Sequence, residues 1–363
     1  MMFNESDYQW MRRALELAER GLWSTTPNPR VGCVIVREGE VVGEGWHRRA
    51  GEPHAETLAL AQAGDRARGG TAYVTLEPCS HFGRTPPCTD ALIEAKLARV
   101  IVAMEDPNPL VNGQGLNRLR QAGIDVRCGL LESAARELNI GFVCRMTRGR
   151  PWVRMKVAAS LDGFTALTDG RSQWITGEAA REDGHRWRAR SCAILTGIGT
   201  VREDNPRMSA RSEGVERQPL KVLVDARLDI DPHAQLLKGG SVLVAAAHDD
   251  PERAQALRDR GSEVVVMADS KGKVDLGRLL VELATRGVNE LHVEAGFKLN
   301  GSLLRLGLVD EILLYSSPSL LGAGRPMFDV PEATALDDRF WLDWQAADRV
   351  GADLRMLARV RRS

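Results

Sequence analysis

The sequence predicts two successive α/β domains, and three observations carry that expectation. The chain has 363 residues, and at roughly 150 residues per domain this suggests two domains. Strand and helix signals alternate over residues 22–146 and begin a second alternation at Trp152, the pattern of a sheet with helices on both faces. Between the two, Thr147-Arg148-Gly149-Arg150-Pro151 is a short polar run broken by Gly and Pro, which reads as a linker. The expected boundaries are 1–147 and 148–363.

The elements follow in order. Ser6 to Arg20 reads as an amphipathic helix with Trp10, Met11, Ala14, Leu15 and Ala18 on one face. Ser6 and Gln9 have capping-box spacing, and Gly21 is its expected stop. Val31 to Val36 and Glu40 to His47 form a predicted hairpin around Glu38-Gly39. His54 to Ala63 is helical, Thr71 to Leu76 extended, Thr89 to Ala98 helical and Val100 to Ala103 extended. A helix at Gly115 to Ala122, a strand at Ile124 to Cys128 and one closing helix at Glu132 to Phe142 complete the first half. In the second half strands are expected at Trp152 to Ala158, Cys192 to Thr196, Leu220 to Val224, Ser241 to Ala245, Glu263 to Met267, Glu290 to Glu294 and Glu311 to Ser316. Helices are expected at Gly177 to Arg188, Pro251 to Gly261, Leu276 to Arg286 and Leu299 to Leu306.

Composition narrows the function classes. With 43% hydrophobic and 27% charged residues, the chain is of the soluble globular kind. Its apolar stretches, such as Val242 to Ala247, fall far short of the roughly 20 residues a membrane span needs. Lys+Arg and Asp+Glu both number 49, and residues 1–148 and 149–363 are each neutral. Neither half therefore has the basic excess that holds a protein to a nucleic-acid backbone. The N-terminus reads as a helix and not as an export signal, so the six cysteines are expected as thiols in a reducing cytoplasm.

The chemistry of the first half gathers at Pro53-His54-Ala55-Glu56 and at Glu77-Pro78-Cys79 with Cys88 following Pro86-Pro87. One His and two Cys make three ligands, and three protein ligands plus a water mark a catalytic zinc. Zinc can lower the pKa of that water to about 7. Residues i and i+2 do not share a helix face, so the metal must lie over the start of the helix for His54 to reach it. Glu56 is then free to shuttle protons. Cys88 also opens a helix, whose positive end favours a thiolate. The plainer reading makes His54 a cap and Cys79 and Cys88 small buried residues. Either motif by itself fits that reading equally, whereas the two together favour the metal. Cys33, Cys128, Cys144 and Cys192 are read as packing residues.

These residues resemble the cytidine-deaminase superfamily, whose zinc hydroxide attacks an amino-bearing ring carbon and releases ammonia. The usual C-x-x-C spacing is absent. Instead Cys79 to Cys88, together with Thr26-Pro27-Asn28-Pro29, Val31-Gly32-Cys33-Val34 and Asp106-Pro107-Asn108-Pro109, is similar to the bifunctional pyrimidine deaminase/reductases of riboflavin biosynthesis. In the second half Lys156 to Gly163, Ser172-Gln173-Trp174-Ile175-Thr176, Asp204-Asn205-Pro206 and the Glu294 segment resemble the reductase of the same family. The resemblance spans nearly the whole chain. It implies a cytidine-deaminase-like three-layer α/β/α domain followed by a dihydrofolate-reductase-like α/β domain that uses NADPH. It further implies that the first domain deaminates 2,5-diamino-6-(5-phosphoribosylamino)pyrimidin-4-one and that the second reduces the ribosyl group to ribityl.

For the deaminase pocket the resemblance singles out Asn28, His47, His81, Arg84 and Asn108 as contacts to the pyrimidine and ribose phosphate; plain loops and turns are the other reading of these five. In the second half no G-x-G run is completed to G-x-G-x-x-G and there is no P-loop. Val293 to Gly296 running into Phe297, and Thr196 to Thr200, are strand-to-helix junctions whose amides suit a phosphate, or ordinary tight turns. The resemblance implies that Ala158, Trp174, Thr200, Asp204, Gly296, Phe297, Lys298, Leu299, Asn300, Gly301 and Ser302 line the dinucleotide. It implies that Ser172, Arg188, Met208, Arg211 and Glu294 line the substrate, with Arg188 and Arg211 as phosphate partners. Lys156 and Glu294 both remain open as proton donors, as does water. Arg202 and Arg227 are basic residues near strand ends where a 2′-phosphate could lie. The expected partners are the small-molecule substrate and further copies of the chain in a homo-oligomer, with neither nucleic acid nor membrane. Two other readings stand beside this one: a zinc deaminase whose second domain only binds ligand or assembles subunits, and a nucleic-acid deaminase, against which the neutral charge of both halves argues.

Overall fold

Alternate residues along the strands belong to separate apolar cores, which makes each half a three-layer structure. The computed structural model describes residues 3–80, 87–109 and 111–361. It divides into two units, Met1–Gly149 and Arg150–Ser363.

The first unit runs α1 (Glu5–Glu19), β1 (Gly32–Arg37), β2 (Glu40–Trp46), α2 (Ala55–Ala63), β3 (Thr71–Val74), α3 (Cys88–Glu94), β4 (Arg99–Val102), α4 (Gln114–Gln121), β5 (Asp125–Cys128), α5 (Glu132–Leu138) and α6 (Ile140–Arg148). The sheet order is β2-β1-β3-β4-β5. β1 is antiparallel to both its neighbours, and β3, β4 and β5 are parallel. Cys33, Ile35, Ala72, Val74, Val100 and Val102 face one core, while Val34, Val36, Tyr73, Ile101 and Ala103 face the other. That is the period of two expected of a strand buried on both sides. Ala55, Ala59 and Ala63 form the buried stripe of α2. It sits so close to β2 that a Cβ on Gly45 would meet the Ala55 carbonyl oxygen at 2.3 Å.

Three expectations change here. The cap of α1 is Asn4, whose side chain accepts from the Asp7 amide at 2.8 Å while Asp7 accepts from the Asn4 amide at 2.9 Å. Asp7 wins over the Ser6/Gln9 pair because it also accepts from the Tyr73 hydroxyl at 2.8 Å. The closing helix is two helices, broken at Asn139. That side chain accepts from the Arg30 amide and donates to the Arg30 carbonyl, at 2.8 and 2.9 Å. Lastly, α6 runs through Thr147 and Arg148 and stops at Gly149, whose φ is 65°, so the first half of the expected linker is helix.

The second unit runs β6 (Trp152–Ser160), β7 (Phe164–Ala166), α7 (Glu178–Arg190), β8 (Ala193–Gly197), α8 (Ile198–Asp204), β9 (Leu220–Val224), β10 (Val242–Ala246), α9 (Pro251–Arg258), β11 (Ser262–Val266), α10 (Leu276–Thr285), β12 (Glu290–Val293), α11 (Phe297–Arg305), β13 (Glu311–Ser317), β14 (Arg325–Pro326), β15 (Leu342–Val350) and β16 (Asp353–Val360). Nine strands form one sheet in the order β11-β10-β9-β8-β12-β6-β13-β16-β15. It is parallel from β11 to β13 and antiparallel at β16 and β15. Ala193, Leu195, Val222, Leu243 and Ala245 enter one core; Ile194, Leu223, Val242, Val244 and Ala246 enter the other. The β15–β16 hairpin escapes the sequence reading because β15 carries little apolar alternation and is largely exposed. Among the described residues no helix is long and apolar enough to cross a membrane.

Candidate active sites

His54 is the N-cap residue of α2, with φ −73° and ψ 164° and no capping hydrogen bond from its side chain. Its imidazole is thus free to face away from the helix. Cys88 is the first residue of α3, after Pro87, and Cys79 follows the end of β3. The ligand atoms of His54, Cys79 and Cys88 all lie within 4.8 Å of one another. His54 Nδ1 is 3.2 Å from Cys88 Sγ and 3.6 Å from Cys79 Sγ. Tetrahedral zinc, with bonds of about 2.3 Å to sulfur and 2.0 Å to nitrogen, sets its ligand atoms roughly 3.5–3.8 Å apart. One imidazole and two thiols at these separations fit the ion, with Nδ1 as the nitrogen ligand.

The electrostatics agree. A hydrogen bond with the Cys88 side chain, then the His54 ring and the Cys88 amide at 3.2 Å, draw the Cys79 thiol down to about 4. Cys88 is pushed up by that same shared proton; a divalent cation would displace it. Contact with Cys79 raises His54. Glu56 lies in the first turn of α2 and is 3% exposed, and burial raises its carboxyl above the usual range. A carboxyl so placed beside the ligand cluster is suited to proton transfer.

Two of the five pocket positions expected here, His81 and Arg84, lie outside the described residues. His47 is buried, its ring edge-on to His54 at 5.2 Å. Its Nε2 lies 3.0 Å from Asn28 Nδ2 and its Nδ1 3.2 Å from the Pro53 carbonyl oxygen. A proton on Nδ1 satisfies both contacts, and burial lowers the pKa so that the ring stays neutral. His47 thus orients Asn28 and the His54 segment. Asn108 sits half-buried in a loop where its amide donates to Asp106 Oδ1 at 2.8 Å.

In the second unit a cavity of about 810 Å³ opens at the carboxyl ends of β6, β8 and β12, the end where sheets of this kind bind ligands. Its size lies in the upper part of the roughly 300–1,000 Å³ range of ligand pockets. Among its lining residues are Ala158, Trp174, Thr200, Asp204, Gly296, Phe297 and Asn300, and also Lys156, Ser172, Arg188, Met208, Arg211 and Glu294. Lys298, Leu299, Gly301 and Ser302 are not among them, although the resemblance placed them with the dinucleotide. The helix turn explains this: Leu299 packs into the core, Gly301 abuts the Asp329 backbone, and the Ser302 hydroxyl donates to the Lys298 carbonyl at 2.9 Å. Only the first turn of α11 faces the cavity. Asn300 Oδ1 there is buried without a hydrogen-bond partner, as befits an acceptor that awaits a ligand donor.

Arg188 and Glu294 form a two-pronged pair, Nε to Oε1 at 2.5 Å and Nη2 to Oε2 at 2.6 Å, and Arg188 Nη1 reaches the Ser209 carbonyl at 3.1 Å. This engages three of the five N–H donors of the guanidinium, and Arg188 still lines the cavity. Burial would raise Glu294, but Arg188 holds it well below the usual carboxylate range. Lys156 shows the opposite: burial lowers its ammonium, and its Nζ lies over the Tyr315 ring at 5.9 Å. Arg211 Nη2 meets His185 Nε2 at 3.1 Å, and His185 is depressed to about 4 by burial and the neighbouring arginines. Arg207 also lines the cavity. Neither Arg207 nor His185 stood out in the sequence: His185 lies in a polar helix with no motif, and Arg207 falls between the Asp204-Asn205-Pro206 motif and Met208. Arg202 instead pairs with Asp229 at 3.1 Å, and neither it nor Arg227 is among the lining residues.

The comparisons with known proteins follow the same division. The cytidine and deoxycytidylate deaminase zinc-binding region matches residues 4–104, and the RibD C-terminal domain matches residues 151–348. Fold and sites thus define a class: a zinc-binding deaminase unit joined to a dihydrofolate-reductase-like unit. The riboflavin biosynthesis protein RibD of Escherichia coli is 46% identical, covering 96% of this chain and 98% of that protein. That of Haemophilus influenzae is 43% identical, covering 98% and 97%. The Acinetobacter baumannii RibD structure superposes with a TM-score of 0.92 at 42% identity over 99% of both chains. A Thermotoga maritima diaminohydroxyphosphoribosylaminopyrimidine deaminase/5-amino-6-(5-phosphoribosylamino)uracil reductase gives 0.87 at 31%, covering 98% and 99%. The chain belongs to the RibD family, the bifunctional deaminase/reductases of riboflavin biosynthesis.

Proposed function

We propose that the chain performs two successive reactions. The first unit converts 2,5-diamino-6-(5-phosphoribosylamino)pyrimidin-4-one to 5-amino-6-(5-phosphoribosylamino)uracil and ammonia. The second uses NADPH to reduce the ribosyl group of that product to ribityl. The observation that carries the first step is the His54, Cys79 and Cys88 cluster with the buried Glu56 beside it. Similarity to the Thermotoga maritima diaminohydroxyphosphoribosylaminopyrimidine deaminase/5-amino-6-(5-phosphoribosylamino)uracil reductase supports the substrates.

His54, Cys79 and Cys88 would hold zinc, which supplies the Lewis acidity that makes a water nucleophilic near neutral pH. Glu56 takes a proton from that water as its oxygen bonds to C2 of the pyrimidine. It then returns the proton to the departing amine, and the C2–N bond breaks with release of ammonia. Asn28, oriented by His47, and Asn108 contact the pyrimidine, and His81 and Arg84 serve the ribose phosphate.

In the second unit Ala158, Trp174, Thr200, Asp204, Gly296, Phe297 and Asn300 would hold NADPH, which supplies a hydride to ribose C1. Ser172, Arg188, Met208 and Arg211 contact the substrate, with Arg207, which lines the same cavity, as a further cation for its phosphate. Lys156 gives a proton to the ribose ring oxygen as the C1–O bond opens. Glu294 is a poor donor, because Arg188 holds it ionised. The proposed setting is the cytoplasm, where the six cysteines stay as thiols, and the proposed assembly is a homo-oligomer, which light scattering would read.

The test is to supply the diaminopyrimidine substrate and follow ammonia and NADPH together. Both signals are expected, with ammonia first and NADPH preferred over NADH. Ammonia without NADPH oxidation, also when pre-deaminated intermediate is given, would leave the second unit as a ligand-binding or assembly domain.

A further inference from the structure

Glu77 lies two residues before Cys79 and is 4% exposed. Its carboxylate is met by backbone amides. Oε1 accepts from Gly115 at 2.8 Å and Leu116 at 3.4 Å. Oε2 accepts from Asp106 at 3.0 Å and Gly113 at 2.9 Å. Gly115 and Leu116 are in the first turn of α4, whose N-cap is Gly113 and has no side chain to cap with. Glu77 therefore supplies from a distant segment the negative charge and acceptor that a helix start favours. The approach is close: a Cβ on Gly115 would lie 2.2 Å from the Pro78 carbonyl oxygen.

The amides on Oε2 belong to the loop between β4 and α4. That loop is organised outward from Glu77. Asp106 accepts from the Asn108 amide at 2.8 Å, and Asn112 Nδ2 donates to the Asp106 carbonyl at 3.0 Å. On the other side, the Cys79 carbonyl accepts from the Thr89 amide at 3.2 Å, and Cys79 Sγ accepts from the Cys88 amide at 3.2 Å. One buried carboxylate thus joins the segment that carries a metal ligand to the loop that carries Asn108.

We propose that Glu77 is a positioning residue for deamination, setting the Asp106–Gly113 loop against the Pro78-Cys79 segment so that Asn108 meets the pyrimidine in register with the metal ligands. This rests on the deaminase reading above. Glu77→Gln keeps the length and one acceptor oxygen but turns an NH2 group toward two amide donors. Glu77→Asp keeps the charge and withdraws it by one methylene.

The experiment uses the zinc-loaded full chain. The wild-type protein must first release ammonia from the diaminopyrimidine substrate; if it does not, the deaminase reading fails before this inference is reached. In Glu77→Gln, zinc should stay near one per chain and NADPH oxidation with pre-deaminated intermediate near wild type. Its KM for the diaminopyrimidine substrate should rise about tenfold or more, with kcat within about threefold, since substrate placement and not chemistry is disturbed. Hydrogen exchange at the Gly113 and Gly115 amides should quicken, and Glu77→Asp should fall between the two. An unchanged KM in a folded, zinc-loaded Glu77→Gln protein overturns the proposal. So does zinc loss in step with activity, which would make Glu77 a support of the metal alone. If Glu77→Gln does not fold, Glu77→Asp is judged by the same criteria.

Discussion

Replacing Glu56 by Gln separates the two chemistries. The side chain is 3% exposed, so an isosteric amide keeps the packing while removing the group that carries protons. In the proposed reaction Glu56 moves one proton twice, from water and then to the leaving amine. General acid–base groups contribute typically about 10²–10⁴-fold, which is about 2.7–5.5 kcal/mol of barrier. The loss should fall toward the upper end. The neighbouring His47 ring is no substitute, because its nitrogens face Asn28 and Pro53 and burial keeps it neutral. Zinc content, read by metal analysis, should remain near one per chain, since Glu56 is not among the His54, Cys79 and Cys88 ligand atoms. Ammonia release from the diamino substrate should fall by about 10³-fold or more, and NADPH oxidation with pre-deaminated intermediate should persist near the wild-type rate. Deamination within about tenfold of wild type in the zinc-loaded variant would refute the proton-carrier role, because it lies below the usual range. Collapse of NADPH oxidation with the deaminated intermediate would refute the separation into two sites.

Other consequences concern the remaining groups. Cys88→Ala removes one of three ligands, so metal analysis should show zinc well below one per chain; full retention with normal deamination would sink the ligand assignment. Lys156→Met should lower reduction by about 10²–10⁴-fold while leaving ammonia release intact. A proton donor must start protonated, and burial puts Lys156 below the usual lysine value. Wild-type reduction should therefore fall as pH rises through that lowered pKa, and a flat profile up to pH 10 would speak against it. Arg188→Met leaves the partly buried Glu294 carboxylate without its guanidinium, with only the His292 ring at 3.1 Å beside it, and should cost stability, up to the roughly 3–5 kcal/mol of a broken buried pair. The Arg188→Met/Glu294→Leu double variant should regain most of that stability in a denaturant titration without regaining reductase activity.

The metal site was legible in the sequence because its chemistry is local. His54 and Glu56 share one helix start, and Cys79 and Cys88 flank one loop, so spacing and order suffice to name the ligand cluster and to place a carboxyl beside it. The sheets were legible for a similar reason: in β10 each residue is buried on one face or the other, which writes a continuous apolar run. The hairpin of β15 and β16 was not, since its outer strand is largely exposed and carries no such run.

What only the tertiary structure decided are the partnerships between distant residues. Asn4 and Ser6 are both good caps, and the Tyr73 hydroxyl on Asp7 chose between them. A continuous helix over 132–142 satisfies local propensity, yet Asn139 spends its side chain on the Arg30 backbone, 109 residues away. Arg188 suits a phosphate by residue type, and only the fold pairs two of its donors with the carboxylate of Glu294, 106 residues on. Glu77 appears in the sequence as the neighbour of a ligand; folding surrounds it with four amides from residues 106–116. Periodicity and spacing record what a residue does within its own element. The use of a buried charge or amide depends on which groups the fold brings to it after water has left, and that is a property of the packed chain.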